Sequence, residues 1–266
     1  MTAPAAPPSP PLRPLQALAV FLVAVTTFLA IGPLTAPLGL WGLIIAHLTT
    51  ILAVPLLVTR LVAAPLLPTF GLRPPRRLAI AGAAAIGVSF WYVNAVLVAP
   101  LAERLAAPGE MEALTQTLVA PEIPLALTVI AAAIVPAFSE ELLMRGLLLR
   151  AFLPWLGRAG TIGATAILFG ILHLSLARGL TTAVFGLLLA DVAIASGSVV
   201  PTIAIHGLNN TMAILAATGA LEWLLQAHTA HPYLVASLAC LMTAGGLVVI
   251  HVAGATVPRR GVPSSV

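Results

Sequence analysis

The chain is divided almost from end to end into apolar runs about as long as a bilayer is thick. Eight blocks, residues 15 to 32, 38 to 59, 78 to 100, 122 to 144, 160 to 176, 180 to 196, 200 to 219 and 233 to 254, approach the ~20 residues that a membrane-crossing helix needs. Of the 266 residues, 60% are hydrophobic and 8% charged, against about 25% charged in an ordinary soluble domain. The expected fold is all-α: a polytopic integral membrane protein of about eight transmembrane helices.

One transmembrane domain is expected over residues 15–257, between an N-terminal arm at 1–14 with six prolines and a similar tail at 258–266, both read as disordered. The first block lacks the basic start of a signal peptide, so it reads as an anchor. All 12 basic residues are arginines, scattered between blocks and not clustered on one face, which argues against a nucleic-acid partner. The lone cysteine, Cys240, permits no intramolecular disulfide.

Basic loops stay in the cytoplasm, so the arginines set the orientation. With the N-terminus inside, Arg13, Arg60, Arg73, Arg76, Arg77, Arg150, Arg158, Arg259 and Arg260 are cytoplasmic, and Arg104 and Arg178 are outside. Both termini are then cytoplasmic. The longest outer loop, 101–121, carries Glu103, Glu110 and Glu112.

Against this background FSEELLMRG, residues 138–146, stands out. A charge at the centre of a spanning helix costs about 2.5 to 3.5 kcal/mol, so such charges need partners and commonly have a task. Glu141 and Arg145 are four apart with the glutamate N-terminal, the favourable order for a helical ion pair. Glu140 points about 100° away and is left to face a cavity. The alternative is a charged cytoplasmic face: residues 122 to 153 would span ~48 Å, more than a ~30 Å hydrocarbon core, so part of the segment must protrude. Pro136 is expected to kink this helix and Pro154 to end it.

Two further polar pairs lie in apolar blocks: Phe169 with His173, and His206 with Asn210, each four apart. With the Glu-Glu-Arg helix they supply a base, a second water ligand and two oxyanion donors, the inventory of a hydrolase. His47 and His251 read as packing histidines that bond a neighbouring helix. A GxSxG elbow and an HExxH are absent, and Asp191 is the one aspartate, so a serine-hydrolase elbow, a zincin and an aspartyl dyad are all unsupported. No cofactor is expected, although a Glu/His/His zinc site remains conceivable from ligand types.

EELLMR, FGILH and HGLNN, in that order, resemble the EExxxR, FxxxH and HxxxN motifs of the CAAX protease and bacteriocin-processing family, which includes the type II CAAX prenyl endopeptidases and bacterial proteins grouped as abortive-infection proteins. The matching region is about 122–220. The resemblance implies an eight-helix intramembrane glutamic endopeptidase whose cavity opens to the cytosol. Glu140 would deprotonate a water also held by His173, His206 and Asn210 would donate to the oxyanion, Arg145 would neutralise Glu141, and Phe169 would wall the cavity. By the block boundaries His173 lies ~20 Å from the cytoplasmic edge and His206 ~9 Å, so the fifth helix must start before 160 or tilt strongly.

Two other readings stay open: a non-catalytic membrane protein of the same fold acting in immunity or interaction, and a proton-coupled carrier, although the internal repeats usual in carriers are not found. The expected partners are a membrane-tethered peptide or protein and the lipid bilayer. The expected location is a bacterial inner membrane.

Overall fold

The computed structural model describes residues 12–107 and 123–255, so the arm before Leu12, Glu110 and Glu112 of the outer loop, and the tail with Arg259 and Arg260 lie outside the described residues. Every regular element among the described residues is helical. The main helices are α1 (Pro14–Thr35), α2 (Leu40–Leu61), α3 (Arg77–Leu97), α4 (Leu125–Leu172), α5 (Leu176–Ser196), α6 (Val200–Ala217), α7 (Glu222–Ala230) and α8 (Pro232–Ala255).

Six described helical stretches are long and apolar enough to cross a membrane. Two features separate that number from the eight expected spans. The fourth and fifth blocks run through one 48-residue helical stretch, α4. The seventh became α6, whose His206, Asn209 and Asn210 dilute its apolar character.

α4 does not end at Pro154, which sits inside the helix. The break falls at Gly157, with φ 63° and ψ −176°, a conformation that glycine adopts without the Cβ clash of other residues. The chain resumes as helix from Arg158, before the expected start at 160, and ends at Leu172 with His173 as its cap.

Two ends of the bundle are distinguishable. At one, Arg150 Nη2 donates to the Gly197 carbonyl (3.2 Å), Ser198 Oγ donates to the Arg73 carbonyl (2.7 Å), and Arg158 pairs with Asp191, which also meets His251 Nε2 at 3.1 Å. Asp191 therefore pairs locally. At the other end lie the α1–α2 turn, the segment after α3, the α4–α5 connection and α7, where His228 bonds the Tyr92 hydroxyl and Asn94 Nδ2 reaches the Thr181 carbonyl (3.1 Å).

The core sits where α4 threads the bundle: residues 139–149 are all buried. Gly146 allows a close approach there: a Cβ would lie 3.0 Å from the Phe70 ring and 3.1 Å from its carbonyl oxygen. Phe70, fully buried, comes from the connection between α2 and α3. The exposed apolar residues on α1, α2 and α8, such as Leu22, Leu57 and Leu241, form the face that lipid covers. This is an integral membrane protein.

Candidate active site

The charges of the EELLMR segment are not a solvated face. Glu141 and Arg145 are fully buried, and Glu140 is 6% exposed. Arg145 Nη1 donates to Glu141 Oε1 at 2.7 Å, the expected i,i+4 pair. Its Nη2 donates to the Gly186 carbonyl on α5 (3.2 Å), and its guanidinium lies 4.4 Å from the centre of the Phe169 ring. One side chain thus ties both parts of α4 to α5, with geometry available to a planar fork and not to a lysine.

The winding here is not the regular helix that the spacing predicts. From Leu142 to Leu148 the chain is π-wound, and further π stretches cover His47–Leu52 and Ile130–Ile134. Such bulges are frequent at functional sites, because they release backbone carbonyls and re-aim side chains. Here one carries Arg145, one begins at His47, and one frees Ala132, whose carbonyl accepts from Asn210 Nδ2 at 3.3 Å.

Three motifs far apart in sequence converge. His206 Nδ1 lies 3.0 Å from Glu141 Oε1, and its Nε2 is 4.0 Å from Glu140 Oε2. Glu141 can only accept as a carboxylate, so Nδ1 carries the hydrogen and Nε2 is turned toward Glu140. His173 Nδ1 lies 3.0 Å from the Phe169 carbonyl, which likewise only accepts, so Nε2 of His173 is the acceptor nitrogen. Among the described residues none donates a hydrogen bond to Glu140, and its buried Oε2 has no hydrogen-bond partner. A buried carboxylate held this way needs a donor from outside the protein.

Glu140, His173, His206 and Asn210 all line one cavity of about 350 Å³. Phe28, Leu43, Pro136 and Leu172 add apolar wall. Phe169 is not on that wall, contrary to expectation. It is fully buried behind the site, edge-on to His173 and His206 with ring centres 5.3 and 5.7 Å away, and so acts as a spacer that sets both imidazoles.

Two lining residues escaped the sequence reading. Arg178, in the first turn of α5, was assigned to a loop, and His47 on α2 was read as a packing histidine. His47 lines the cavity and bonds Ser139, the residue before Glu140, with Nδ1 to Oγ at 3.1 Å. Ser139 already donates to the Val135 carbonyl (2.8 Å), so His47 Nδ1 is the donor and its Nε2 an acceptor. The signal was present: an ionisable side chain in the middle of a spanning helix.

Among the described residues no group of three or more His, Cys, Asp and Glu is arranged to hold a metal ion. The arrangement suits acid–base work on a water: an unpartnered carboxylate, an acceptor imidazole, and donors from α6. The cavity, however, reaches toward Leu174 and Arg178, the end opposite the arginine cluster. Cytoplasmic arginines and a cavity opening to the cytosol therefore cannot both hold.

Comparison with curated proteins and with solved structures gives no match. The family model described as Rce1-like, type II CAAX prenyl endopeptidase, matches residues 122–212, the segment that holds Glu140, Glu141, Arg145, Phe169, His173, His206 and Asn210. Over that segment the chain is similar to the Rce1-like type II CAAX prenyl endopeptidases.

Proposed function

We propose that this protein is a glutamic intramembrane endopeptidase that hydrolyses a peptide bond of a membrane-tethered peptide or protein. The observation that carries the reading is the placement of an unpartnered carboxylate, Glu140, 4.0 Å from the His206 imidazole in a cavity shared with His173 and Asn210.

In this mechanism a water donates one hydrogen to Glu140 and the other, as a hydrogen bond, to Nε2 of His173. As the water oxygen attacks the scissile carbonyl carbon, Glu140 takes its proton. The carbonyl oxygen becomes an oxyanion, held by Asn210 Nδ2 and by Nε2 of His206. Nδ1 of His206 is committed to Glu141, so Nε2 carries a hydrogen only when the ring is doubly protonated. The charges then balance: Glu140 and Glu141 against Arg145 and imidazolium. Glu140 finally returns its proton to the leaving nitrogen as the C–N bond breaks, releasing a carboxylic acid and an amine, and the acid's proton then passes to the amine through solvent, which leaves a carboxylate and an ammonium. General acid–base transfer of this kind contributes about 10² to 10⁴ in rate, and one oxyanion donor about 10² to 10³.

No cofactor is needed for these steps. The protein works in the lipid bilayer of a bacterial inner membrane, with the substrate and the surrounding lipid as partners and no nucleic acid. The test incubates detergent-purified protein with membrane-anchored peptides and identifies products by mass. Two fragments summing to substrate plus one water, formed by wild type and strongly reduced in Asn210→Ala, are expected. Intact substrate with every anchored peptide would overturn the reading.

A further inference from the structure

We infer that the cavity opens away from the cytoplasm, so that its substrates are membrane-tethered chains presented from the translocated side. The substrate half of this inference rests on the endopeptidase reading; the orientation does not.

The cavity has one closed direction. Beyond Glu140, toward the arginine-bearing end, residues 141–149 are all buried, and Phe70 is seated against Gly146. Ten residues of helix, roughly 15 Å, separate Glu140 from Arg150. The walls rise in the other direction. Ala132 and Pro136 precede Glu140 on α4, Phe28 and Leu43 flank the α1–α2 turn, Leu174 and Arg178 form the α4–α5 connection, and Asn210 lies one turn beyond His206. Leu174, at the rim, is exposed. No lining residue belongs to the end where Arg73, Arg150 and Arg158 meet Ser198, Gly197 and Asp191.

Charge decides which end faces the cytoplasm. Among described residues, Arg13, Arg60, Arg73, Arg76, Arg77, Arg150 and Arg158 lie at the closed end, and Arg104 and Arg178 at the open one. A bias of seven to two in short loops beside membrane helices is the pattern that retains a loop in the cytoplasm. The closed end is thus cytoplasmic, and the mouth is on the other face. A peptide bond reaches Glu140 from that face, over a rim that carries Arg178.

The experiment starts from a Cys240→Ala background. Single cysteines are placed at exposed positions, Ala220→Cys and Trp223→Cys at the open end, Pro74→Cys and Val62→Cys at the closed end, two per end so that one misfolded variant leaves a reading. Intact cells are treated with a membrane-impermeant thiol reagent, before and after permeabilisation. The expected result is labelling of positions 220 and 223 in intact cells and of 74 and 62 only after permeabilisation. The reverse pattern overturns the orientation, whatever the protein cleaves. A matched pair of anchored substrates, with the scissile segment on either face, tests the second half. Cleavage of the externally facing segment alone is expected, and cleavage of the cytoplasmic one alone would overturn the inference. If neither is cleaved while the labelling is as expected, the orientation stands and the endopeptidase reading falls.

Discussion

His206 and Glu141 are joined by a hydrogen bond of 3.0 Å from imidazole Nδ1 to carboxylate Oε1, although 65 residues separate them in sequence. This bond turns the other imidazole nitrogen toward Glu140 and gives Glu141 two cationic or donating neighbours, Arg145 being the second at 2.7 Å. The two adjacent glutamates therefore have different tasks: Glu141 organises the site, and Glu140 faces the cavity.

That division predicts opposite profiles for two chemically identical substitutions. Glu141→Gln leaves the fully buried Arg145 without its counter-charge, and breaking a buried pair by removing one partner costs about 3 to 5 kcal/mol. Thermal unfolding in detergent should show a marked loss of stability for Glu141→Gln and little or none for Glu140→Gln. Equal losses in both would contradict the division.

Arg145 cannot be replaced by lysine without loss. Its guanidinium serves Glu141, the Gly186 carbonyl and the Phe169 ring together, and an ammonium on a flexible stem cannot reproduce that fork. Arg145→Lys should keep the charge and still lose about 1 to 3 kcal/mol, the range for a buried polar group left unsatisfied. Wild-type stability in Arg145→Lys, measured by the same unfolding assay, would show that charge alone suffices.

His47 should affect turnover more than folding. It lines the cavity and its Nδ1 is held by Ser139, which places its Nε2 to accept from water or substrate. His47→Ala is expected to reduce kcat about 10²-fold, the lower end of the range for positioned acid–base groups. Ser139→Ala, which frees the ring without removing it, should produce a smaller reduction. Steady-state kinetics on an anchored peptide provide the check, and an unchanged kcat in both variants would return His47 to a packing role.

The floor beneath Glu140 is set by close packing. Gly146→Ala places a methyl 3.0 Å from the Phe70 ring, and overpacking of this kind costs about 1 to 3 kcal/mol. The double variant Gly146→Ala with Phe70→Leu should recover part of that loss. No recovery would mean that the Phe70 backbone, 3.1 Å away at its carbonyl, is the controlling contact.

The motifs were legible in the sequence because each is local: Glu141 with Arg145, and His206 with Asn210, stand four apart on one helix, and apolar surroundings made every polar residue conspicuous. What connects the motifs was not legible. The π-wound stretches at Leu142–Leu148 and Ile130–Ile134 leave no composition signature, and the break at Gly157 looked like any other glycine beside a loop. Phe70, His47 and Phe28 reach the site from helices and connections outside the 122–212 segment, through contacts that spacing does not encode. Phe169 was expected on the wall from the resemblance alone, which does not encode the depth at which two histidines close over its ring.

The proposed hydrolysis depends on Glu140 as its base. Turnover of an anchored fluorogenic peptide by wild type and by Glu140→Gln, both shown to unfold at similar temperature, tests it most directly. A loss of at least about 10²-fold in kcat is expected for Glu140→Gln, because the amide keeps the shape and cannot take the proton of water. Equal turnover by the two proteins would contradict it.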